Sequence, residues 1–218
     1  MSERLQGIGM TSRRTRGRMI ERLKQQGIKD PGILAVMNDT PRHIFVDEAL
    51  SSRSYEDTAL PIGYNQTISQ PYIVAKMTEL LLAGGPLSNV LEIGTGCGYQ
   101  TAVLAQLVDK VYSVERIGPL LKKAKNYLWD LKINNVSFQH SDGSWGWPEK
   151  APFEGILVTA APSEIPASLL QQMAIGGVML IPVGTNTQEL HKIVRSKTGY
   201  RDEIIEAVTF VPFLTGRE

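Results

Sequence analysis

Apolar positions recur at helical spacing over the first 86 residues of the chain and then give way to short continuous runs. Met19, Ile20 and Leu23 make one stripe, which predicts a basic helix from Thr11 to about Gln26 with Gly27 as its stop. Pro31 opens a second short helix through Val36 and Met37. Ser51 to Gln70 holds no sustained period and carries Asp57, Pro61, Gly63 and Asn65, so it is expected to be a long loop. Loops of that length in compact domains are usually functional or disordered. Pro71 starts a third helix with Ile73, Val74, Met77, Leu80 and Leu81 on its apolar face, ended by Gly84-Gly85-Pro86.

From Asn89 the pattern becomes strand, turn, helix. Val90–Ile93, Val111–Val114, Val136–Phe138, Gly155–Val158 and Val178–Ile181 read as strands. Tyr99–Val108, Leu120–Leu131 and Ser168–Met173 read as helices between them. Leu190 to Val211 alternates as an antiparallel pair would. Strands alternating with helices predict an α/β fold with a doubly wound, mostly parallel sheet. We expect one domain over 1–218, with helices and a loop in 1–86, a βα core in 87–185 and the strand pair in 186–218. Residues 1–10 are expected to fray, and Met10 could serve as an alternative start.

Composition narrows the function. Lys and Arg total 23 against 22 Asp and Glu, a net charge of +1, which argues against binding nucleic acid by neutralising phosphates. The run Arg13, Arg14, Arg16, Arg18 is therefore read as a solvated helix face. The lone cysteine, Cys97, allows no intrachain disulfide and fits a reducing compartment. It is read as a small residue packed near a helix start, since no histidine lies near it in sequence to activate it. The three histidines and Cys97 show no metal-ligand spacing. No apolar run approaches the roughly 20 residues that span a membrane, and the start lacks a signal-peptide core, so a cytoplasmic protein without membrane association is expected.

The strongest chemical signal is Glu92-Ile93-Gly94-Thr95-Gly96-Cys97-Gly98-Tyr99, a strand running into a glycine turn that opens a helix. The dinucleotide fingerprint Gly-x-Gly-x-x-Gly fails in both registers, with Tyr99 or Thr101 at the last position. That weakens a nicotinamide-linked oxidoreductase. Glu92 at the strand end suits a cationic ligand without phosphate, such as S-adenosylmethionine, better than a pyrophosphate. Glu115 closes the second strand, where an acid accepts from ribose hydroxyls in doubly wound folds. Asp142-Gly143 follows the third strand, at the edge where an adenine could lie.

With these residues in view, the chain resembles the protein-L-isoaspartate O-methyltransferase family from about Arg14 to Val211. The most specific matches are Leu60-Pro61-Ile62-Gly63 and Gln66-Thr67-Ile68-Ser69-Gln70-Pro71. Pro41-Arg42-His43-Ile44-Phe45-Val46, Ser113-Val114-Glu115-Arg116, Asp142-Gly143 with Gly146-Trp147, Ala151-Pro152-Phe153, Val158-Thr159-Ala160-Ala161 and Phe210-Val211-Pro212 also match. The resemblance implies a Rossmann-like class I methyltransferase fold and transfer of a methyl group to the free α-carboxylate of isoaspartyl residues in damaged proteins and peptides. It places Ser69 at the active-site position, with Thr67, Ile68, Gln70, Pro71 and Val211 against the substrate. Glu92, Gly94, Thr95, Gly96, Gly98, Glu115, Asp142 and Gly143 would hold S-adenosylmethionine. His43 matches a family position and is read as structural. A monomer is expected. The chain departs from the family at Tyr64-Asn65, at Cys97 in place of serine, and at Phe213 in place of leucine, which puts the contacts of Leu214 and Thr215 in doubt. A methyltransferase of a small molecule or nucleic-acid base, and a non-catalytic binding module, remain as alternatives.

Overall fold

The computed structural model describes Leu5 and residues 7–218. Of the start expected to fray, residues 1–4 and 6 lie outside the described residues, while Gly9–Thr11 form a 3₁₀ turn. Helices α1 (Arg13–Gln25) and α2 (Pro31–Asp39) follow as expected, with Met19, Leu23, Ile33 and Met37 fully buried. The Asp30 carboxylate accepts from the Ile33 amide and caps α2. Three residues of the tempting arginine run face water, but Arg16 is buried and donates to the carbonyls of Asn38 and Asp39.

The segment expected to be a long loop contains a two-stranded antiparallel hairpin, β1 (Leu60–Gly63) and β2 (Gln66–Ile68). Strands of four and three residues are too short to show a period, and this escaped the sequence reading. The turn residues Tyr64 and Asn65 sit at φ 55 and 54, as a two-residue hairpin turn of this twist demands. Leu60 pairs with Ile68, and both are buried. Pro71 then starts α3 (Pro71–Leu82).

The main sheet has seven strands in the order β5-β4-β3-β6-β7-β8-β9. Its strands are β3 (Asn89–Ile93), β4 (Lys110–Glu115), β5 (Val136–His140), β6 (Phe153–Val158), β7 (Met173–Gly184), β8 (Gln188–Ser196) and β9 (Gly199–Val208). β5 through β7 in that order are parallel, while β8 and β9 are antiparallel, which is the doubly wound core with an appended strand pair. Between them run α4 (Tyr99–Ala105), α5 (Gly118–Asp130) and α6 (Ala167–Gln171). The helix expected at 168–173 is shorter because Met173 already pairs with Phe153 at the start of β7.

Side chains of the central strand alternate between two cores. Leu91 and Ile93 meet Ile156, Val158, Met179 and Leu169 on one face. Val90 meets Val111, Leu157, Leu104 and Met77 on the other. Chain order reverses at β3, whose neighbours are β4 and β6. Crevices at the carboxyl edge of such a reversal are where open α/β sheets bind ligands.

Candidate active site

Four loops meet at that edge. Gly94–Gly98 follow β3, Glu115-Arg116 end β4, Asp142-Gly143 follow β5, and Thr159-Ala160 follow β6. Of these residues all but Gly98 and Asp142 line a cavity of about 820 Å³, counted out to its open mouth, together with Ile68, Ser69, Tyr99 and Phe213.

Gly94 sits at φ 95, with its open side against the Thr159 hydroxyl. That hydroxyl donates towards the carbonyls of Ile93 and Gly94, at 3.0 and 2.8 Å, and ties the loop to β6. Thr159 was matched by resemblance but given no role. Its place at the carboxyl end of a strand beside β3 was the signal that could have found it.

Glu115 lines the cavity while one carboxylate oxygen accepts from the Gly96 amide at 2.7 Å and the other from the Ile117 amide at 2.9 Å. Burial raises its pKa above the ordinary carboxylate value despite those two donors. Gly143 also lines the cavity, because its missing side chain lets Ile93 and the Phe213 ring close in.

Three residues assigned to the donor molecule stand behind the wall instead. Gly98 caps α4 and faces Ala124 and Leu128 of α5. The Asp142 carboxylate is occupied by two amides, Ser144 at 2.8 Å and Gly216 at 2.5 Å. Burial opposes its ionisation, but those amides outweigh it and hold its pKa below the ordinary value. Glu92 is fully buried beneath the loop. Its Oε2 accepts from Ser113 and Thr101, both at 2.5 Å, and Ser113 and Thr95 hydroxyls lie 2.6 Å apart. Thr95 does line the cavity, so Glu92 reaches the site only through that chain of hydroxyls.

Complete burial pushes the Glu92 carboxyl up to about 7 from the ordinary 4.5, the two hydroxyl donors offsetting it only in part. Between these values the folded chain keeps a proton that the unfolded chain has released. Stability contributed by the neutral form is therefore present below pH 4.5 and is lost as pH rises to about 7. Glu92→Gln is expected to flatten that fall and to melt above the wild type at pH 8. Melting temperatures that track the wild type across the whole range would refute it.

A second cavity, a groove, lies beside the first. Ala59, Gln70, Tyr72, Ile73 and residues 206–211 line it. Thr67, Ser69, Thr159 and Val211 line both cavities, so the two meet at these four residues. Ser69 is half-buried, and among the described residues its hydroxyl has no hydrogen-bond partner. It does not cap α3, whose N-cap is Gln70 without a side-chain bond. Pro71, expected against the substrate, lines neither cavity and is buried as the first residue of α3. Tyr72 and Glu206, which sequence reading passed over, face each other across the groove at 3.4 Å.

No histidine lines either cavity. His43 is buried with Nδ1 2.8 Å from the Tyr55 hydroxyl, which is the structural role expected of it. Burial pushes the Cys97 thiol up to about 11, which leaves it inert at neutral pH. Among the described residues no cluster of His, Cys, Asp and Glu could hold a metal ion. Nor is any helix there long and apolar enough to cross a membrane.

Comparison with known proteins agrees with this geometry. The family model for protein-L-isoaspartate(D-aspartate) O-methyltransferase matches residues 14–218. A protein-L-isoaspartate O-methyltransferase of Methylobacillus flagellatus is 60% identical over 99% of this chain and 98% of its own. One from Marinobacter nauticus is 56% identical over 99% of both chains. Among solved structures, a protein-L-isoaspartate O-methyltransferase superposes with a TM-score of 0.82 at 28% identity, covering 90% of this chain and 65% of that one. A Plasmodium falciparum protein, described as a candidate enzyme of the same kind in complex with S-adenosyl-L-homocysteine, gives a TM-score of 0.76 at 26% identity over 90% of this chain and 97% of that one. A match over residues 14–218, with the glycine turn, the β4 acid and the Ser69 hairpin at one sheet edge, makes this chain a member of the protein-L-isoaspartate(D-aspartate) O-methyltransferase family.

Proposed function

We propose that this enzyme transfers a methyl group from S-adenosylmethionine to the free α-carboxylate of L-isoaspartyl residues in damaged proteins and peptides. The observation that carries the reading is the junction of the cavity behind the glycine turn with an open groove at Ser69, Thr67, Thr159 and Val211. A donor in one and a peptide in the other would meet there.

The donor supplies an electrophilic methyl on a sulfonium. The chain's residues fit such a donor. The turn at Gly94 and Gly96 offers a close backbone approach, Glu115 can accept from ribose hydroxyls, and Gly143 and the Phe213 ring offer an apolar surface for a base. The accepting carboxylate has a reference pKa of about 3.3–3.9 and is already ionised at neutral pH. No general base is required, in keeping with the absence of histidine from both linings.

What the chain contributes is alignment, worth up to about 7–11 kcal/mol in well-oriented reactions. The Ser69 hydroxyl can donate one hydrogen bond to the carboxylate and fix which oxygen faces the methyl. Ile68, Val211 and Phe213 present apolar walls that exclude water while opposite charges cancel. The product methyl ester is a better acyl donor than the carboxylate, so the neighbouring backbone amide can attack it, expel methanol and close a succinimide ring that water can reopen to normal aspartate. Damaged peptides, not nucleic acid, are the partners on this reading, supported by the net charge of +1. The single buried thiol supports a cytoplasmic setting.

The test is transfer of labelled methyl from S-adenosylmethionine to paired peptides, one with isoaspartate and one with normal aspartate. Base-labile label on the isoaspartyl peptide alone is expected. Transfer to neither peptide, with donor binding intact, would discard the acceptor and point to a small-molecule methyltransferase.

A further inference from the structure

Ser69 and Gln70 join β2 to α3 and belong to neither. On one side the hairpin ladder holds them, ending at the Leu60–Ile68 pair. On the other side α3 must hold them, yet its first turn has no local cap. Pro71 has no amide to donate, and Gln70 makes no side-chain bond at the N-cap. The first free amide, that of Tyr72, is taken from 15 residues back, by Asp57 Oδ1 at 3.0 Å. A carboxylate at this place also meets the positive end of the helix.

Asp57 is itself backed by fixed structure. Its Oδ2 accepts from Gln26 Nε2 at 2.7 Å, just past α1. Arg42 Nε donates to the Ser54 carbonyl at 2.7 Å, and Arg22 of α1 donates to the Tyr55 carbonyl. Tyr55 and Leu60, on either side of Asp57, are buried. One carboxylate therefore ties the start of α3 to the end of α1 and closes the base of the hairpin. Ser69 lies inside that closed loop, three residues before the amide that Asp57 holds. Asp57 lines neither the cavity nor the groove, so any effect on the reaction is indirect.

We propose that Asp57 is a positioning residue for methyl transfer, a remote cap of α3 that sets where the Ser69 hydroxyl meets the acceptor carboxylate. The inference rests on the reading of Ser69 given above. An anchor of the domain as a whole would act on folding and donor binding alike, whereas this one acts on turnover through Ser69.

Asp57→Ala is expected to lower turnover about tenfold, the effect of one hydrogen bond lost, with the KM for S-adenosylmethionine at its wild-type value. Asp57→Asn keeps an acceptor for the Tyr72 amide and should restore most of the rate. In a Ser69→Ala background, Asp57→Ala should cost less than about twofold, because the hydroxyl it places is gone. Asp57→Ser, whose oxygen sits one bond closer to the backbone and falls short of the amide, carries the same cycle if the alanine variant does not melt cooperatively. Full turnover on truncating Asp57, or an equal loss in both backgrounds, would overturn its positioning role alone. Full turnover in Ser69→Ala would overturn the reading of Ser69 and the role of Asp57 with it.

Discussion

Gly94→Ala is expected to abolish useful binding of S-adenosylmethionine while leaving a folded protein. At φ 95 an alanine is strained by about 1–2 kcal/mol. Its Cβ would also fall against Thr159 Oγ1, closer than any real contact. The Thr159 hydroxyl must then turn away and release the Gly94 carbonyl, while the Ile93 carbonyl keeps the Thr159 amide. An abandoned acceptor costs about 1–3 kcal/mol, so the two effects, carried by the loop that meets the donor, predict at least about a thirtyfold loss of affinity by calorimetry. The double variant Gly94→Ala/Thr159→Ala separates the causes. Partial recovery of binding would assign the loss to the clash, and no recovery would assign it to backbone strain. Wild-type affinity in Gly94→Ala would refute the role of the loop.

Ser69→Ala should lower turnover by about ten- to a hundredfold, the worth of one hydrogen bond to a charged group. Donor affinity should not change, because Ser69 touches the donor cavity only at its junction with the groove. Ser69→Thr keeps the hydroxyl and should restore part of the rate. Full turnover in Ser69→Ala would eliminate positioning by this group, and a weakened donor would show that it belongs to the other site.

The parallel core was legible because each strand is a short apolar run bounded by turn residues, and the turn at Gly94 marked the edge that binds. Burial of both sheet faces leaves that pattern little choice. The β1–β2 hairpin was not legible, because its strands are short and Tyr64-Asn65 is not a familiar turn pair. The resemblance nevertheless placed Thr67, Ile68 and Ser69 at the site, and the hairpin is what brings them there. Glu92 shows the limit of reading roles from position along a strand. An acid at the end of β3 can point up to the ligand or down to α4, and only the register with Ser113 and the approach of Thr101 decide for the latter. Asp142 shows the same limit, since its partner Gly216 lies 74 residues away. Tyr72 and Glu206, 134 residues apart, carry no local signal of meeting.

That last separation bears on how the enzyme comes into being. The donor cavity draws mostly on residues 93–160, a compact stretch of βα units, whereas the groove needs residues 59–73 from before the sheet and 206–211 from after it. Closing so long a loop comes after the local units have formed. During synthesis, which runs from the amino end, the βα units can therefore assemble while one groove wall is still missing. The acceptor groove is complete only once β9 has joined the sheet, and the donor cavity gains its last wall, Val211 to Leu214, at the same point, so neither half of the site is whole until the final strand is in place.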